Sequence, residues 1–273
     1  MPLMRDSRRV QVTKIDENEA QRVEDDIVME EPLEIRVNGE SLSVTMRTPG
    51  DDFDLAIGLL WTEGIVGSQD DIGTIAYCPD EEQPDLKNVV NVVLTDSTRR
   101  IESSRRLWSN SSCGLCGKAT LDAIHQACAP IESTIAVPYD LLYSLPSRLR
   151  QAQANFERTG GIHAVGLFDG KGSLLILRED IGRHNAVDKA LGAALGGGLT
   201  LSQTIMMVSG RLGFEIAQKA LIAGVPIVAS ISAPSSLAIE LANEFGMTTI
   251  GFLRGRSMNV YSNPQRLATS TPR

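Results

Sequence analysis

The sequence has no run of about 18 apolar residues, so no transmembrane helix is expected. Cysteine is scarce, with four in 273 residues. That number in a long chain does not read as a disulfide framework, and reduced thiols in the cytoplasm are the expectation. Positive charge is also in deficit: 26 Lys and Arg stand against 34 Asp and Glu, for a net charge of −8. Such a chain is not built to coat nucleic acid. An anion site would have to come from local geometry or a local basic cluster. Residues 1–27 lack the apolar core of a secretory signal. They place Arg5, Arg8 and Arg9 before Asp16, Glu17, Glu19, Glu24, Asp25 and Asp26, and read as a disordered tail. Internal repeats and low-complexity segments are absent too. What is present is 42% hydrophobic residues, enough for one large domain or two unequal ones.

The first ordered element reads as a hairpin. Leu33, Ile35 and Val37 alternate with polar residues, Asn38-Gly39 suits a type I′ turn, and Leu42, Val44 and Met46 alternate on the return. A helix is expected over 53–63, capped by Asp51 or Asp52 and ended by Gly64. Strands are expected over 72–78 and 89–94, which makes 28–108 a small α+β unit. A helix follows over 118–128, and another starts near Pro146-Ser147. A second hairpin is expected over 162–168 and 173–177. A polar loop comes next, Arg178-Glu179-Asp180-Ile181-Gly182-Arg183-His184-Asn185, and then a helix to about 195. From 204 the pattern is strand, helix, strand, helix, strand, ending at 253. That order implies parallel strands with helical crossovers.

In such sheets ligands bind beyond the carboxyl ends of the strands. Those ends read Ser209-Gly210-Arg211, Ser232-Ala233-Pro234-Ser235 and Arg254-Gly255-Arg256-Ser257. The first two open helices whose N–H groups can hold an anion, and the third brings two arginines suited to phosphate. Ordinary caps and turns would use the same residue types, so the loops alone leave a phosphate pocket and a plain turn as alternatives. Of the three histidines His184 is the best functional candidate. The polar loop around it reads equally well as an ion-pair turn or a substrate-contacting loop.

Residues 111–118 read Ser-Ser-Cys-Gly-Leu-Cys-Gly-Lys. Cys113 and Cys116 thus sit in a glycine-rich turn before a helix, where the helix terminus and Lys118 favour a thiolate. Three chemistries fit. Zinc needs four ligands, and Cys128 would lie about 18 Å along an unbroken helix from Cys116. Cys78 is another possible ligand. A thioredoxin-type redox pair normally follows a strand, whereas 105–110 reads as an exposed loop. A sulfur carrier would hold sulfane sulfur as a persulfide.

Eight segments carry a resemblance that is more specific than any one of them: Glu31-Pro32-Leu33-Glu34-Ile35-Arg36-Val37-Asn38-Gly39, Arg47-Thr48-Pro49-Gly50-Asp51-Asp52, Cys113-Gly114-Leu115-Cys116-Gly117-Lys118, Thr159-Gly160-Gly161-Ile162-His163-Ala164, 178–189, Val208-Ser209-Gly210-Arg211, Ser232-Ala233-Pro234-Ser235 and Gly251-Phe252-Leu253-Arg254-Gly255-Arg256. With them the chain resembles the FdhD family of formate dehydrogenase accessory sulfurtransferases, from residue 31 to about 261. The resemblance implies an α/β (α+β overall) fold with a cytidine-deaminase-like mixed sheet flanked by helices and a smaller N-terminal subdomain. The expected division is a tail over 1–27, the subdomain over 28–108, a mobile two-cysteine loop over 109–118, the larger domain over 119–262 and a tail over 263–273.

The resemblance further implies a cytoplasmic, homodimeric sulfurtransferase. It would take sulfur from a cysteine desulfurase and pass it to the bis(molybdopterin guanine dinucleotide) cofactor, with molybdenum or tungsten, for formate dehydrogenase as client. By position Cys113 matches the persulfide-bearing cysteine and Cys116 its auxiliary. Phe252, Leu253, Arg254, Gly255, Arg256 and Ser257 match the cofactor segment. Ser209, Arg211 and Ser235 are second-tier contacts. No resident metal, nucleic acid or membrane partner is expected. The zinc deaminase signature is absent, since Ala164 and Val165 follow His163, and deamination is not expected. The rival reading is a cofactor-binding chaperone whose cysteines are structural or redox-regulatory.

Overall fold

The computed structural model describes residues 6–17, 19–78, 87–96, 107–108 and 128–269. The two-cysteine loop with Cys113 and Cys116, the helix expected to follow it and His125 lie outside the described residues.

The amino-terminal region corrects the expectation of a disordered tail. Ser7–Asp16 (β1) and Glu19–Val28 (β2) pair antiparallel through ten rungs, from Ser7 against Val28 to Asp16 against Glu19. The charges that suggested disorder face each other across the ribbon. Arg9 lies 3.3 Å from Asp26 and 3.5 Å from Glu24, while Val12 opposes Val23. Opposite charges and β-branched residues in register are what stabilise a strand pair. At its base Met29 N–H donates to the Asp6 carbonyl, and Arg158 pairs with Asp6 at 2.8 Å.

The next unit has Glu31–Val37 (β3), Glu40–Arg47 (β4), Ile72–Tyr77 (β5), Val89–Leu94 (β6) and Leu107–Trp108 (β7) in the order β5-β6-β3-β4-β7. Asn38 and Gly39 take φ of 51° and 85°, as the expected type I′ turn requires. Leu33, Ile35, Val90 and Val92 from the sheet bury themselves against Leu55, Ala56 and Leu60 of α1 (Asp52–Thr62). The helix cap differs from expectation. Asp51 makes no capping bond, and Asp52 instead accepts from the buried Arg47 guanidinium at 2.9 and 3.1 Å.

The larger sheet contains His163–Asp169 (β9), Leu174–Asp180 (β10), Thr204–Val208 (β11), Ile227–Ser230 (β12), Thr248–Arg254 (β13) and Ser257–Ser262 (β14). Its order is β10-β9-β11-β12-β13-β14, with β11, β12 and β13 parallel and the rest antiparallel. Strand alternation divides the core. Met206 and Val208 pack on α4 (Arg183–Gly196), α5 (Phe214–Ile222) and α6 (Ser236–Glu244). Ile205 and Met207 face α2 (Tyr139–Ala152). The short α3 (Ala154–Thr159) completes the helices among the described residues. The fold is thus α+β with a mixed sheet between helical layers. Among the described residues no helix is long and apolar enough to cross a membrane.

Three further expectations are corrected. The helix expected to begin near Pro146 begins at Tyr139, because Leu142, Leu145 and Leu149 form one buried stripe across the proline. The loop expected over 178–185 shrinks to two residues, since β10 runs to Asp180 and α4 starts at Arg183. Residues 263–269 of the expected carboxyl-terminal tail are packed on the larger unit. Leu267–Ala268 (β15) pairs with Val137–Pro138 (β8), and Arg266 is buried, donating to the carbonyls of Gly246 at 2.6 Å and Ile131 at 3.1 Å.

The two larger units meet where α1 crosses α4. Glycines make the crossing possible: a Cβ on Gly58 would lie 1.8 Å from the Asp188 carbonyl oxygen, and one on Gly192 1.9 Å from that of Asp54. Beside it, the buried Lys219 ammonium bonds Asp188 at 2.9 and 3.0 Å and Thr62 Oγ1 at 2.9 Å. Burial alone would lower the Lys219 pKa, but Asp188 and Glu63 outweigh it and raise it. Gly58→Ala should therefore lower stability by about 3 kcal/mol, read by chemical denaturation of the whole chain. Lys219→Met should cost about 3–5 kcal/mol by stranding Asp188, and adding Asp188→Asn should recover part of that loss.

Candidate functional site

The carboxyl ends of β11, β12 and β13 lie side by side, and the three loops named from the sequence are bonded together. Ser209 N–H donates to the Ala164 carbonyl at 3.0 Å, and Ser209 Oγ accepts from Ala164 N–H at 2.8 Å, so a side chain continues the ladder past the end of β11. Ser230 Oγ donates to the Gly210 carbonyl at 2.6 Å and accepts from Ser232 N–H at 3.0 Å. Leu212 N–H reaches the Ala233 carbonyl, and Ser235 N–H returns to that of Leu212. Phe252 N–H donates to the Ser232 carbonyl at 3.0 Å and draws the third loop into the same edge.

The third loop is the β13–β14 turn. Phe252 has φ of 51° and Gly255 of 56°. A left-handed backbone at a phenylalanine is strained, by roughly 1–3 kcal/mol. Gly251 is required next to it, because a Cβ there would meet Pro234 Cδ at 2.8 Å and Tyr261 Cε2 at 2.9 Å. The candidate cofactor residues separate in this setting. Leu253 is fully buried in the core, so its side chain is not available to a ligand. Arg254 is exposed and lies 5.9 Å from the Phe252 ring. Arg256 is exposed, bonds Asp140 at 2.7 Å and lies over Tyr143. An exposed pair of that kind is worth little and yields readily to a stronger anion. Ser257 opens β14 opposite Arg254. Among the described residues Arg211 is exposed and makes no ion pair. Ser235 has a structural task, its Oγ capping α6 through Ala238 N–H at 3.3 Å.

Further along the same edge, the start of β9, the start of α4 and the start of α5 converge. Glu215, which the sequence reading did not single out, holds His184 with Nε2 to Oε2 at 2.7 Å. Arg183 Nε stands 3.5 Å from the same nitrogen. His163 lies against Gly210, whose hypothetical Cβ would be 3.3 Å from Nδ1. The bond from His184 lowers the Glu215 pKa more than burial raises it. Burial, and then the nearby Arg183 charge, lower that of His163. Arg183 and His184 occupy the first turn of α4, where the helix dipole disfavours cations and that turn itself has no acidic residue, so the offset comes from Glu215 on α5. The edge therefore gathers Arg183, Arg211, Arg254 and Arg256 on an acidic protein.

The other residues of the 178–185 stretch are structural. Arg178 bonds Asp54 at 2.7 and 2.8 Å. Asp180 accepts from Lys189 at 2.7 Å, from Thr48 N–H at 3.1 Å and from Gly182 N–H at 2.8 Å. Asn185 donates to the Met46 carbonyl at 2.8 Å, which joins the start of α4 to β4. Cys128 is buried and its thiol is pushed up to about 11 by burial and by Glu244. A thiol so disfavoured as thiolate is a poor nucleophile and a poor zinc ligand. A cavity of about 220 Å³ opens elsewhere, between the ribbon base and β10, lined by Asp6, Asp51, Glu179 and Lys189 among others. Its carboxylates make it unsuited to phosphate.

The electrostatics of the edge can be measured directly. His163 should titrate below its ordinary 6.5 by NMR, and so be neutral at pH 7. Arg183→Gln should raise the midpoint only part of the way, because burial is the first cause. A midpoint above 6.5 in the unaltered chain would contradict the arrangement.

The sequence model of the FdhD/NarQ family matches residues 28–268. A sulfur carrier protein FdhD of Streptomyces avermitilis is 49% identical over 274 residues, covering 96% of each chain. One from Mycolicibacterium paratuberculosis is 45% identical over 97% of this chain and 100% of its own. A crystal structure assigned as a formate dehydrogenase accessory protein from Desulfotalea psychrophila superposes with a TM-score of 0.78 at 25% identity, covering 96% of this chain and 99% of that one. A family match across the loops of the sheet edge, together with relatives of nearly equal length, establishes that the chain belongs to the FdhD/NarQ family.

Proposed function

We propose that this chain is a cytoplasmic sulfur carrier and sulfurtransferase that serves formate dehydrogenase. Cys113 thiolate attacks the outer sulfur of a cysteine desulfurase persulfide. The S–S bond of the donor breaks, Cys113 gains the –SH sulfur, and the donor cysteine leaves as thiolate. The acceptor is the bis(molybdopterin guanine dinucleotide) cofactor, carrying molybdenum or tungsten as substrate. Sulfane sulfur needs two electrons to become sulfide. Attack of the Cys116 thiol on Cys113 Sγ supplies them, forming a Cys113–Cys116 disulfide and releasing the sulfur as sulfide to the metal.

One observation carries this reading: where β7 is rooted. It pairs with β4 at Ser43 and Val44, and β4 is bonded to the start of α4 on the arginine-bearing edge. A chain spans at most about 3.6 Å per residue, so a residue five positions beyond Trp108 is tethered within about 18 Å of that strand. That reach supports the reading that the sulfur is delivered to the sheet edge. Phosphates of the guanine dinucleotide are taken by Arg254, by Arg256 once Asp140 is displaced, and by backbone N–H groups of the 252–257 turn. The protein acts as a homodimer.

Incubation with a desulfurase and cysteine should add about 32 Da to the chain, one sulfur retained as a persulfide. Cys113→Ala should abolish the gain, and a variant that gains it as readily as the parent defeats the assignment. Cys116→Ala should still load but fail to yield active formate dehydrogenase. A Cys113→Ser/Cys116→Ser chain that still delivers active enzyme would leave only a chaperone. Arg254→Ala should weaken guanosine diphosphate binding about 10- to 100-fold, the scale of a charge-assisted hydrogen bond, as read by calorimetry.

A further inference from the structure

The β3–β4 turn holds the only Asn-Gly pair of the chain, Asn38-Gly39. This dipeptide is the least hindered setting for spontaneous deamidation of an asparagine. The glycine amide nitrogen attacks the asparagine side-chain carbonyl carbon, and no side chain on the glycine blocks the approach. A C–N bond forms and the bond to the side-chain NH2 breaks. That group leaves as ammonia, carrying the proton of the glycine amide. Water then opens the succinimide to aspartate or isoaspartate, so no oxidant, reductant or enzyme is needed. The turn is accessible to water, with Gly39 exposed and Asn38 partly buried.

Both reacting groups are engaged by β6. Asn38 Oδ1 accepts from Leu94 N–H at 2.9 Å, and Gly39 N–H donates to Asn91 Oδ1 at 2.9 Å. Asn38 N–H adds a third bond, to the Val92 carbonyl at 2.9 Å. The first two bonds act in opposite senses. Leu94 N–H draws electron density from the side-chain carbonyl and points at the oxygen that becomes an oxyanion on attack, which favours the reaction. Asn91 withholds the nucleophile. Gly39 N must lose its proton to attack, and a neutral amide oxygen holds that proton without being basic enough to remove it. Bringing Gly39 N onto the side chain also rotates the Asn38–Gly39 peptide plane, which breaks the bond to Asn91.

We infer that Asn38 is a latent deamidation site, primed by Leu94 N–H and latched by the Asn91 side chain. The damaging product is isoaspartate. It routes the main chain through the former side chain and adds a methylene to the β3–β4 link, whereas aspartate leaves the backbone path unchanged. A longer link displaces β4 against β3, and β4 carries β7 at Ser43 and Val44. The inference is independent of sulfur transfer.

Trypsin cuts after Arg36 and Arg47 and leaves Asn38 as the only asparagine of its peptide. Peptide mapping of the full chain after mildly alkaline incubation therefore reads the modification directly. The native parent should deamidate at Asn38 at least tenfold more slowly than the same chain in urea. Asn91→Ala should raise the native rate by about tenfold, the scale of one lost hydrogen bond, with unchanged circular dichroism. Amide hydrogen exchange of the parent needs no variant and keeps the test valid if Asn91→Ala misfolds. Gly39 N–H should exchange at least tenfold more slowly than in the unfolded chain. A freely exchanging Gly39 N–H, a native parent that deamidates as fast as the unfolded one, or a folded Asn91→Ala chain no faster than the parent overturns the inference.

Discussion

The close crossing of α1 and α4 fixes everything else in this molecule. With no Cβ at Gly58 or Gly192, each helix lies against the backbone carbonyls of the other. The crossing brings Asp188 to Lys219 and Thr62, and Asp54 to Arg178. A buried ion pair adds little net stability compared with apolar packing, but it punishes any other arrangement severely. The two units are thereby held in one register. That register places β4, on which β7 is paired, beside the start of α4.

Charge is divided with some economy. The protein is acidic as a whole, yet along the strand-end edge Arg211 and Arg254 make no ion pair among the described residues, while the carboxylates of the same stretch are consumed internally. Asp180 is bound by Lys189, Gly182 and Thr48, and Glu215 by His184. Only Asp140 reaches one of the turn arginines among the described residues. Local geometry overrides net charge, because an ion at this edge sees neighbours within a few ångströms and the rest of the protein through solvent screening.

Much of the fold was legible because local signals were enough. Asn38-Gly39 specifies its turn without help, and the buried-type strand 204–208 and the strand 247–253 announce themselves by β-branched and apolar content. The turn at 252–257 drew notice as a candidate because strand ends in α/β sheets are where ligands go. What escaped depended on partners remote in sequence. Residues 7–28 looked unstructured because Arg9 finds Glu24 and Asp26 only once the ribbon closes. Pro146 looked like a boundary because its cost is local, while the gain from Leu142, Leu145 and Leu149 is tertiary. Glu215 sits 31 positions from His184, and nothing in either neighbourhood advertises the other. Arg266 seemed part of a solvated tail, since its acceptors are carbonyls at 131 and 246, which no side-chain pattern reveals.

The hydroxyl stitching of the strand-end loops has a consequence for chain length. Ser209, Ser230 and Ser232 tie residues 164, 209–212, 230–235 and 252 into one lattice of short bonds. Surface loops usually absorb insertions and deletions. Here one extra residue between Val208 and Leu212 would throw both Ser209 and Gly210 out of register with their acceptors. The turn at 170–172, at the opposite end of the sheet, is held by Arg148 of α2 at the Gly172 carbonyl and, among the described residues, hydrogen-bonds no neighbouring loop. Variation in loop length across this architecture should therefore be polar, tolerated at one end of the sheet and forbidden at the other. The spacing between the loop residues is as much a part of the site as their identity.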